Sequence, residues 1–251
     1  MSKINLRHGK DYFSPSQLKK LFVSVSSLTA YLKRKWTTTS SMTLGTLVHC
    51  LILEPEEFSK RYIIIDDRDI CKDIGGARPS STKKYKDWLS ALSDDNKGKE
   101  FVSMKDIAIA DKIVRKCKLT GIIDEYFTDG KAEVTVKGVA SGYDEEFNGL
   151  CIIDYDTDFV SIDLKTTSKP LSKFKYDANE LGYDIQASVT NSLNGKDFIF
   201  VVVQTVEPYD VGIYTCSDFF MKRGRDKVNT ALHNYKFYED EYSSQVFNYE
   251  L

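Results

Sequence analysis

The sequence predicts an α/β fold: a central mixed β-sheet flanked by helices. Three observations carry this reading. Apolar residues recur at helical spacing through the first half of the chain and again near its end. From Lys131 the period changes to strand alternation. Residues 197–206 form a strand-length, very apolar run, as expected of a central strand covered on both faces. Helices, then three or four strands, then helix, strand, strand and helix fit one sheet with helices packed on it.

The elements follow in order. Ser14-Pro15-Ser16-Gln17 reads as a helix start, with Ser14 as cap and Pro15 in the first position. Leu18, Leu21 and Phe22 give that helix its apolar face. A second short helix is predicted over 26–36, a polar loop over 37–41, and a mostly apolar buried helix over 42–53, stopped before Pro55. Residues 61–65 suit a strand. The polar stretch 66–80, with two adjacent glycines, reads as a mobile loop. A helix over 81–92 places Tyr85, Trp88, Leu89 and Leu92 on one side, and 94–99 is a polar linker. Ser103 opens the next helix, with Asp106 completing a capping-box pattern and Ile107, Ala110, Ile113, Val114 and Cys117 forming its stripe. Strands are predicted over 132–137, 142–147, 150–155 and 159–164. Short helices over 171–179 and 183–193 follow Pro170, then strands over 197–206 and 211–215, and a long helix over 217–238.

Length allows one large domain or two small ones. We read a single domain over 1–251: N-terminal helices (1–60), a helical insertion (61–128), the sheet core (129–216), and a C-terminal helix and tail (217–251). At 41% hydrophobic and 29% charged residues, the chain suits a soluble globular protein. No stretch approaches the roughly 20 apolar residues of a membrane span. The opening MSKINLRHGK lacks the apolar core of a signal peptide, so a cytoplasmic location is expected. Five scattered cysteines contain no CxxC pair, which argues against zinc ribbons and four-cysteine iron–sulfur clusters. A net charge of −2 argues against a broad basic surface. A narrow basic groove is still allowed, because Lys and Arg cluster at 33–35, 83–86, 165–175 and 222–227.

Chemistry centres on Asp163-Leu164-Lys165-Thr166-Thr167. Strand alternation puts Asp163 and Lys165 on one face, where a carboxylate can hold a hard cation and an ammonium can steady a phosphate or a water. With a hairpin loop at Thr157-Asp158, Asp154 would lie opposite Ser161 with Asp163 as its diagonal neighbour. The two carboxylates would then be about 7–8 Å apart on one face. A slip of one residue would separate them to opposite faces. Gly45 and His49 stand one turn apart on the apolar helix; the glycine suggests a close packing contact. An imidazole among Leu47, Val48, Cys50 and Leu51 is either a hydrogen-bonded core histidine or a ligand. Glu133, taken alone, belongs to a solvated strand face. Tyr183 and Gln186 open a helix downstream, where a glutamine can hydrogen-bond a phosphate or an attacking water.

Together, in the order G-xxx-H, E, D, D-x-K-T-T, Y-xx-Q, these parts resemble the RecE-like (exodeoxyribonuclease VIII-like) exonucleases of the RecB-type PD-(D/E)xK nuclease superfamily. The likeness runs from about Phe13 to Phe200. It is closest at Met42-Thr-Leu-Gly-Thr-Leu-Val-His-Cys-Leu-Ile-Leu-Glu-Pro-Glu-Glu-Phe58 and at Asp163–Thr167, and Phe13–Leu18 resembles the opening serine-rich helix. The resemblance implies a PD-(D/E)xK (restriction-endonuclease-like) core. His49, Asp154, Asp163 and the Leu164 carbonyl would bind metal. Lys165 would orient or help deprotonate the attacking water. Glu133 would be an acid near the metal, and Gln186 and Tyr183 would steady the scissile phosphate and the water. It implies two Mg²⁺ ions, replaceable by Mn²⁺.

The implied activity is degradation of linear duplex DNA from 5′ to 3′, leaving 3′ single strands for recombination by strand annealing. The implied partners are duplex DNA ends, a single-strand annealing protein and further copies of the chain in a ring; a phage-encoded protein would act in the bacterial host cytoplasm. Lys169, Lys173 and Lys175 suggest the rim of a DNA groove. Ser14, Ser16, Lys20, Lys33, Arg34 and Lys35 are candidates for holding a 5′ phosphate. Two positions depart from the pattern: Ile152-Ile153 replace a frequent Arg-Pro, and Thr190 replaces an aromatic one turn after Gln186. The competing readings are an endonuclease on the same core, and a catalytically retired DNA- or protein-binding module.

Overall fold

The computed structural model describes residues 12–35, 40–75 and 82–241. The parts of the predicted segments that fall on 1–11, 36–39, 76–81 and 242–251 lie outside them. Helices α1 (Pro15–Val23), α2 (Val25–Lys33) and α3 (Ser40–Leu53) come first, then α4 (Phe58–Arg61) and strand β1 (Tyr62–Ile65). Helices α5 (Asp67–Ile74) and α6 (Lys83–Asp95), strand β2 (Glu100–Ser103), and helices α7 (Met104–Leu119) and α8 (Ile122–Tyr126) follow. The main sheet is built from β3 (Gly130–Ala140), β4 (Phe147–Thr157), β5 (Val160–Thr167), β6 (Asp197–Gln204) and β7 (Val211–Thr215), adjacent in that order. Helices α9 (Phe174–Glu180) and α10 (Tyr183–Asn194) connect β5 to β6, and α11 (Asp218–Glu241) follows β7.

Only β5 and β6 run parallel; the other pairs in this sheet are antiparallel. A parallel pair needs a crossover, which α9 and α10 supply. Every residue of β6 after Asp197 is buried, so helices must cover both faces there. On one face Leu47 and Val48 of α3 and Ile113 and Cys117 of α7 join Ile162, Leu164, Val201 and Val203. On the other, Ala187 of α10 and Phe174 of α9 cover Phe198, Phe200 and Val202. Ile185 and Val189 of α10 also pack with Leu18 and Leu21 of α1 and Val228 of α11. The sheet is thus mixed and flanked by helices, as predicted. The alternation of β5 sends Leu164 toward α3 and Asp163 and Lys165 toward α10.

Caps set several helix starts. Ser14 and Gln17 cap α1 reciprocally: the Ser14 N–H donates to Gln17 Oε1 at 2.7 Å, and the Gln17 N–H reaches Ser14 Oγ at 3.4 Å. Ser103 Oγ accepts the Asp106 N–H at 3.1 Å and starts α7 as predicted.

The structure departs from the predictions at three points. The loop predicted over 66–80 contains α5: Asp66 Oδ1 accepts the Arg68 N–H at 2.8 Å as a cap, and Ile70 anchors the helix in the interior. Within the helical insertion the strand expected over 61–65 forms as β1, but its parallel partner β2 was not predicted. The strand predicted over 142–147 is a turn. Gly142 takes φ 82°, which ends β3, and pairing resumes at Ala140 with Phe147. Among the described residues no helix is long and apolar enough to cross a membrane.

Candidate active site

The site forms where the β4–β5 ladder stops. These strands pair at Tyr155 with Ile162 and at Asp156 with Ser161. The turn is Asp158-Phe159, not Thr157-Asp158, because Thr157 Oγ1 closes it by accepting the N–H groups of Phe159 (3.3 Å) and Val160 (3.0 Å). Continued, this register puts Asp154 directly opposite Asp163 rather than on a diagonal. It differs from the predicted register by two residues, so both carboxylates still share a face. Beyond Ile162 the Asp154 carboxylate replaces the ladder: the Leu164 N–H donates to its Oδ2 at 2.9 Å.

His49 enters from α3, which packs on the Leu164 face. Its Nδ1 lies 3.6 Å from Asp154 Oδ2. Gly45 lets α3 approach β5: a Cβ there would stand 3.1 Å from Thr166 Oγ1. The predicted packing role of this glycine is therefore real. Burial, then the Lys165 charge, push the imidazole down to about 4, so it is neutral and able to donate a lone pair near pH 7.

Asp163 is 2% exposed. Its Oδ1 accepts from Gln186 Nε2 at 2.5 Å, and Lys165 Nζ sits 2.5 Å from Oδ2. That ionic contact lacks hydrogen-bond geometry, which leaves Oδ2 a buried carboxylate oxygen without a hydrogen bond. Burial and the Asp163 charge push the Asp154 carboxyl up to about 8. Burial acts to lower Lys165, but Asp163, Asp154 and Tyr183 outweigh it and hold the ammonium at about 12.

Ionising Asp154 here is opposed by burial and by the Asp163 charge, and a divalent cation would relieve that opposition. Two carboxylates, a neutral imidazole and a carbonyl are a suitable oxygen and nitrogen donor set. Among the described residues, no three His, Cys, Asp or Glu side chains are already gathered as a formed cage. Gln186 and Lys165 engage Asp163, and Leu164 engages Asp154, in the present arrangement.

Tyr183 and Gln186 reach the site from the start of α10. Tyr183 stacks on Phe200 at 5.5 Å between centroids, and Lys165 Nζ lies 5.0 Å from its ring centroid. Asp184, between them and fully buried, fixes the helix. Its Oδ2 accepts from Arg223 Nε at 2.6 Å and Lys227 Nζ at 2.7 Å, both from α11. Gly224 lets α11 come this close, since a Cβ there would lie 2.1 Å from the Asp184 carbonyl oxygen. Thr190, where the resemblance calls for an aromatic, donates to the Gln186 carbonyl at 2.9 Å. Where Arg-Pro is frequent, Ile153 is buried in the sheet and Ile152 is exposed.

Glu133 is exposed but is not an ordinary strand residue. Its φ of 52° breaks the β3 ladder between Ala132 and Val134. It lines a cavity with Gly45, Thr46, His49, Glu54 and Arg61, on the His49 side of the site. Burial, then Glu54, raise its carboxyl.

The basic candidates scatter. Ser14 is buried and engaged as the α1 cap. Ser16 and Lys20 are exposed on α1, and Lys33, Arg34 and Lys35 are exposed at the end of α2. Lys169 is paired with Asp177 at 2.7 Å, an acid just beyond the basic cluster 165–175. Lys173 and Lys175 are exposed, with Nζ 5.7 and 5.1 Å from the Tyr176 ring centroid. Sequence reasoning missed Lys19 of α1, whose Nζ lies 4.9 Å from the Tyr183 centroid. Its neighbours Leu18 and Leu21 on the buried stripe were the available signal. It also missed the Asp184 clamp, whose partners lie 39 and 43 residues away.

A crystal structure of a presumed exonuclease from Eubacterium rectale shares the fold. Its TM-score is 0.57 at 11% identity, over 96% of this chain and 91% of that one. A phage-related exonuclease from Haemophilus somnus aligns with a TM-score of 0.35 at 16% identity, over 72% and 96%. No curated protein matches the chain in sequence. The family model of the PDDEXK-like domain of unknown function DUF3799 matches residues 14–243, in agreement with the RecE-like PD-(D/E)xK resemblance in the motifs. The chain belongs to this PDDEXK-like family.

Proposed function

We propose that the protein is a divalent-metal-dependent exonuclease acting on the ends of linear duplex DNA. The observation that carries this is Asp163: a buried carboxylate held by Lys165 and Gln186, with Asp154 opposite it and His49 alongside. Asp154, Asp163, His49 and the Leu164 carbonyl would hold Mg²⁺, or Mn²⁺ in its place, and two ions fit the proposed chemistry. A metal bound there lowers the pKa of its water and offsets charge on the phosphate.

The chain's own groups then have distinct tasks. Lys165, kept as an ammonium, attracts the phosphodiester and orients the nucleophile rather than abstracting a proton. Gln186 has an amide that can both accept and donate, so it holds Asp163 while presenting an oxygen to water. Tyr183 offers a ring face and a hydroxyl beside Lys165. Glu133, from the opposite side, adds a carboxylate near His49.

We extend the proposal to 5′-to-3′ polarity, which leaves 3′ strands for an annealing protein, and to a ring of several copies around the duplex. The test uses linear duplexes labelled at the 5′ or the 3′ end, with Mg²⁺ or EDTA, beside covalently closed circles. The expected result is Mg²⁺-dependent loss of linear substrate from the 5′ end, with circles untouched. Cutting of circles would make the protein an endonuclease. No cutting of any substrate would make it a binding module. Asp163→Ala and Lys165→Ala should each abolish cutting while the fold survives.

A further inference from the structure

Lys19 projects from α1 into the same site. Its methylene stem lies over the α9–α10 turn at Gly182, where a Cβ would stand 3.1 Å from Lys19 Cγ and 3.4 Å from Cδ. Gly182 has φ 64° and no side chain, so the stem can lie flat against the turn. The ammonium comes to 4.9 Å from the Tyr183 centroid, on the ring that Lys165 also approaches at 5.0 Å.

The two lysines differ in how their charge is met. Lys165 has Asp163 at 2.5 Å. Among the described residues Lys19 has no carboxylate within ion-pair distance and no hydrogen bond; the Tyr183 ring is its one polar contact. Burial, then Lys165, push it down to about 8. An ammonium placed in such surroundings without an anion is costly, and an arriving anion would remove that cost. The two ammoniums lie 4.9 and 5.0 Å from the centre of the Tyr183 ring, and the oxygens of a tetrahedral phosphate can accept from more than one ammonium.

We propose that Lys19, with Lys165 and the edge of Tyr183, forms a phosphate-binding subsite that grips the backbone of the DNA strand at the site. This rests on the nuclease reading. It assigns the phosphate contact of α1 to Lys19 in place of its neighbour Lys20, which is exposed.

The test uses Lys19→Met, which keeps the apolar stem, and Lys19→Arg, which keeps the charge. Binding of fluorescein-labelled linear duplex is measured by anisotropy with Ca²⁺ in place of Mg²⁺, across a salt series, on 5′-phosphorylated and 5′-hydroxyl DNA. Melting is followed in parallel. Lys19→Met should weaken binding roughly tenfold and reduce the salt slope by about 1. Its melting temperature should stay at or above that of the unaltered protein, and Lys19→Arg should recover most of the affinity. An equal loss on both duplexes assigns an internal phosphodiester, and a loss confined to the phosphorylated duplex assigns the terminal phosphate; both support a phosphate subsite. Unaltered affinity and salt slope in Lys19→Met, while the parent protein cuts DNA, would overturn the subsite alone. A parent protein that neither binds nor cuts DNA would overturn the nuclease reading and the subsite with it.

Discussion

Gln186 Nε2 donates to Asp163 Oδ1 at 2.5 Å, joining the first turn of α10 to the centre of β5. The bond crosses from helix to sheet at the most buried acid of the site. Replacing Gln186 with Leu removes a hydrogen bond to an ionised group, worth roughly 1.5–3 kcal/mol. In the proposed nuclease this becomes a loss of about 10–100-fold in kcat, since each 1.36 kcal/mol is about tenfold. Single-turnover kinetics on a linear duplex at saturating Mg²⁺ would measure it. A rate within twofold of the parent protein would remove Gln186 from the site.

Asp154 gives a pH dependence. Its folded pKa of about 8 lies above the ordinary carboxylate value. It therefore contributes stability that is full below the unfolded pKa and is lost as pH rises through about 8. His49 acts in the other direction. Its folded value of about 4 lies below the ordinary 6.5, so its contribution is full above 6.5 and is lost as pH falls toward 4. Metal-free protein should melt at lower temperature at pH 9 than at pH 7. Added Mg²⁺ should raise melting more at pH 9, where protons no longer compete for Asp154. An equal Mg²⁺ shift at pH 6 and pH 9, by differential scanning fluorimetry, would refute this.

The α10–α11 clamp should be expensive to disturb. In Gly224→Ala the new Cβ would lie 2.1 Å from the Asp184 carbonyl oxygen, so the helices must part. Overpacking of this kind costs about 1–3 kcal/mol. Asp184→Ala leaves Arg223 and Lys227 facing each other without an acid, at a cost of about 3 kcal/mol for a largely buried pair. Chemical denaturation would read both. If Asp184→Ala keeps its stability, the clamp is not what holds α10.

Glu133 offers the opposite sign. At φ 52° a non-glycine residue carries strain of about 1 kcal/mol or more. Glu133→Gly should stabilise the fold by roughly 0.5–1 kcal/mol while reducing nuclease rate, because strain relief and loss of the carboxylate coincide. Stability and rate measured on one preparation separate these effects. A loss of stability would show that the backbone there is not strained.

Much of this was legible in the chain before its coordinates. Strand alternation identified β5 and the shared face of Asp163 and Lys165. The misplaced glycine and histidine of α3 marked a helix pressed against the sheet, and Ser14 and Ser103 marked helix starts. What stayed hidden depends on contacts far apart in sequence or on one side chain's reach. Lys19 stands beside Leu18 on the buried stripe of α1, but its reach over Gly182 to Tyr183 is a contact between segments far apart in sequence. Asp184 gave no local signal of its clamp, because Arg223 and Lys227 come from the last helix. The turn register was misjudged because Thr157 could serve either as a turn residue or as the acceptor that closes the next one.

That turn has a consequence for how this chain can change. The two aspartates meet because the arms of the hairpin on either side of Asp158-Phe159 have matched parity. Adding or removing one residue in either arm would turn one carboxylate to the opposite side of the sheet, whereas changes of two leave the facing intact. The hairpin therefore counts in pairs. Its exposed tip can drift in composition, but its length is free to vary only in even steps, and an odd step there should silence a centre whose every residue is still present.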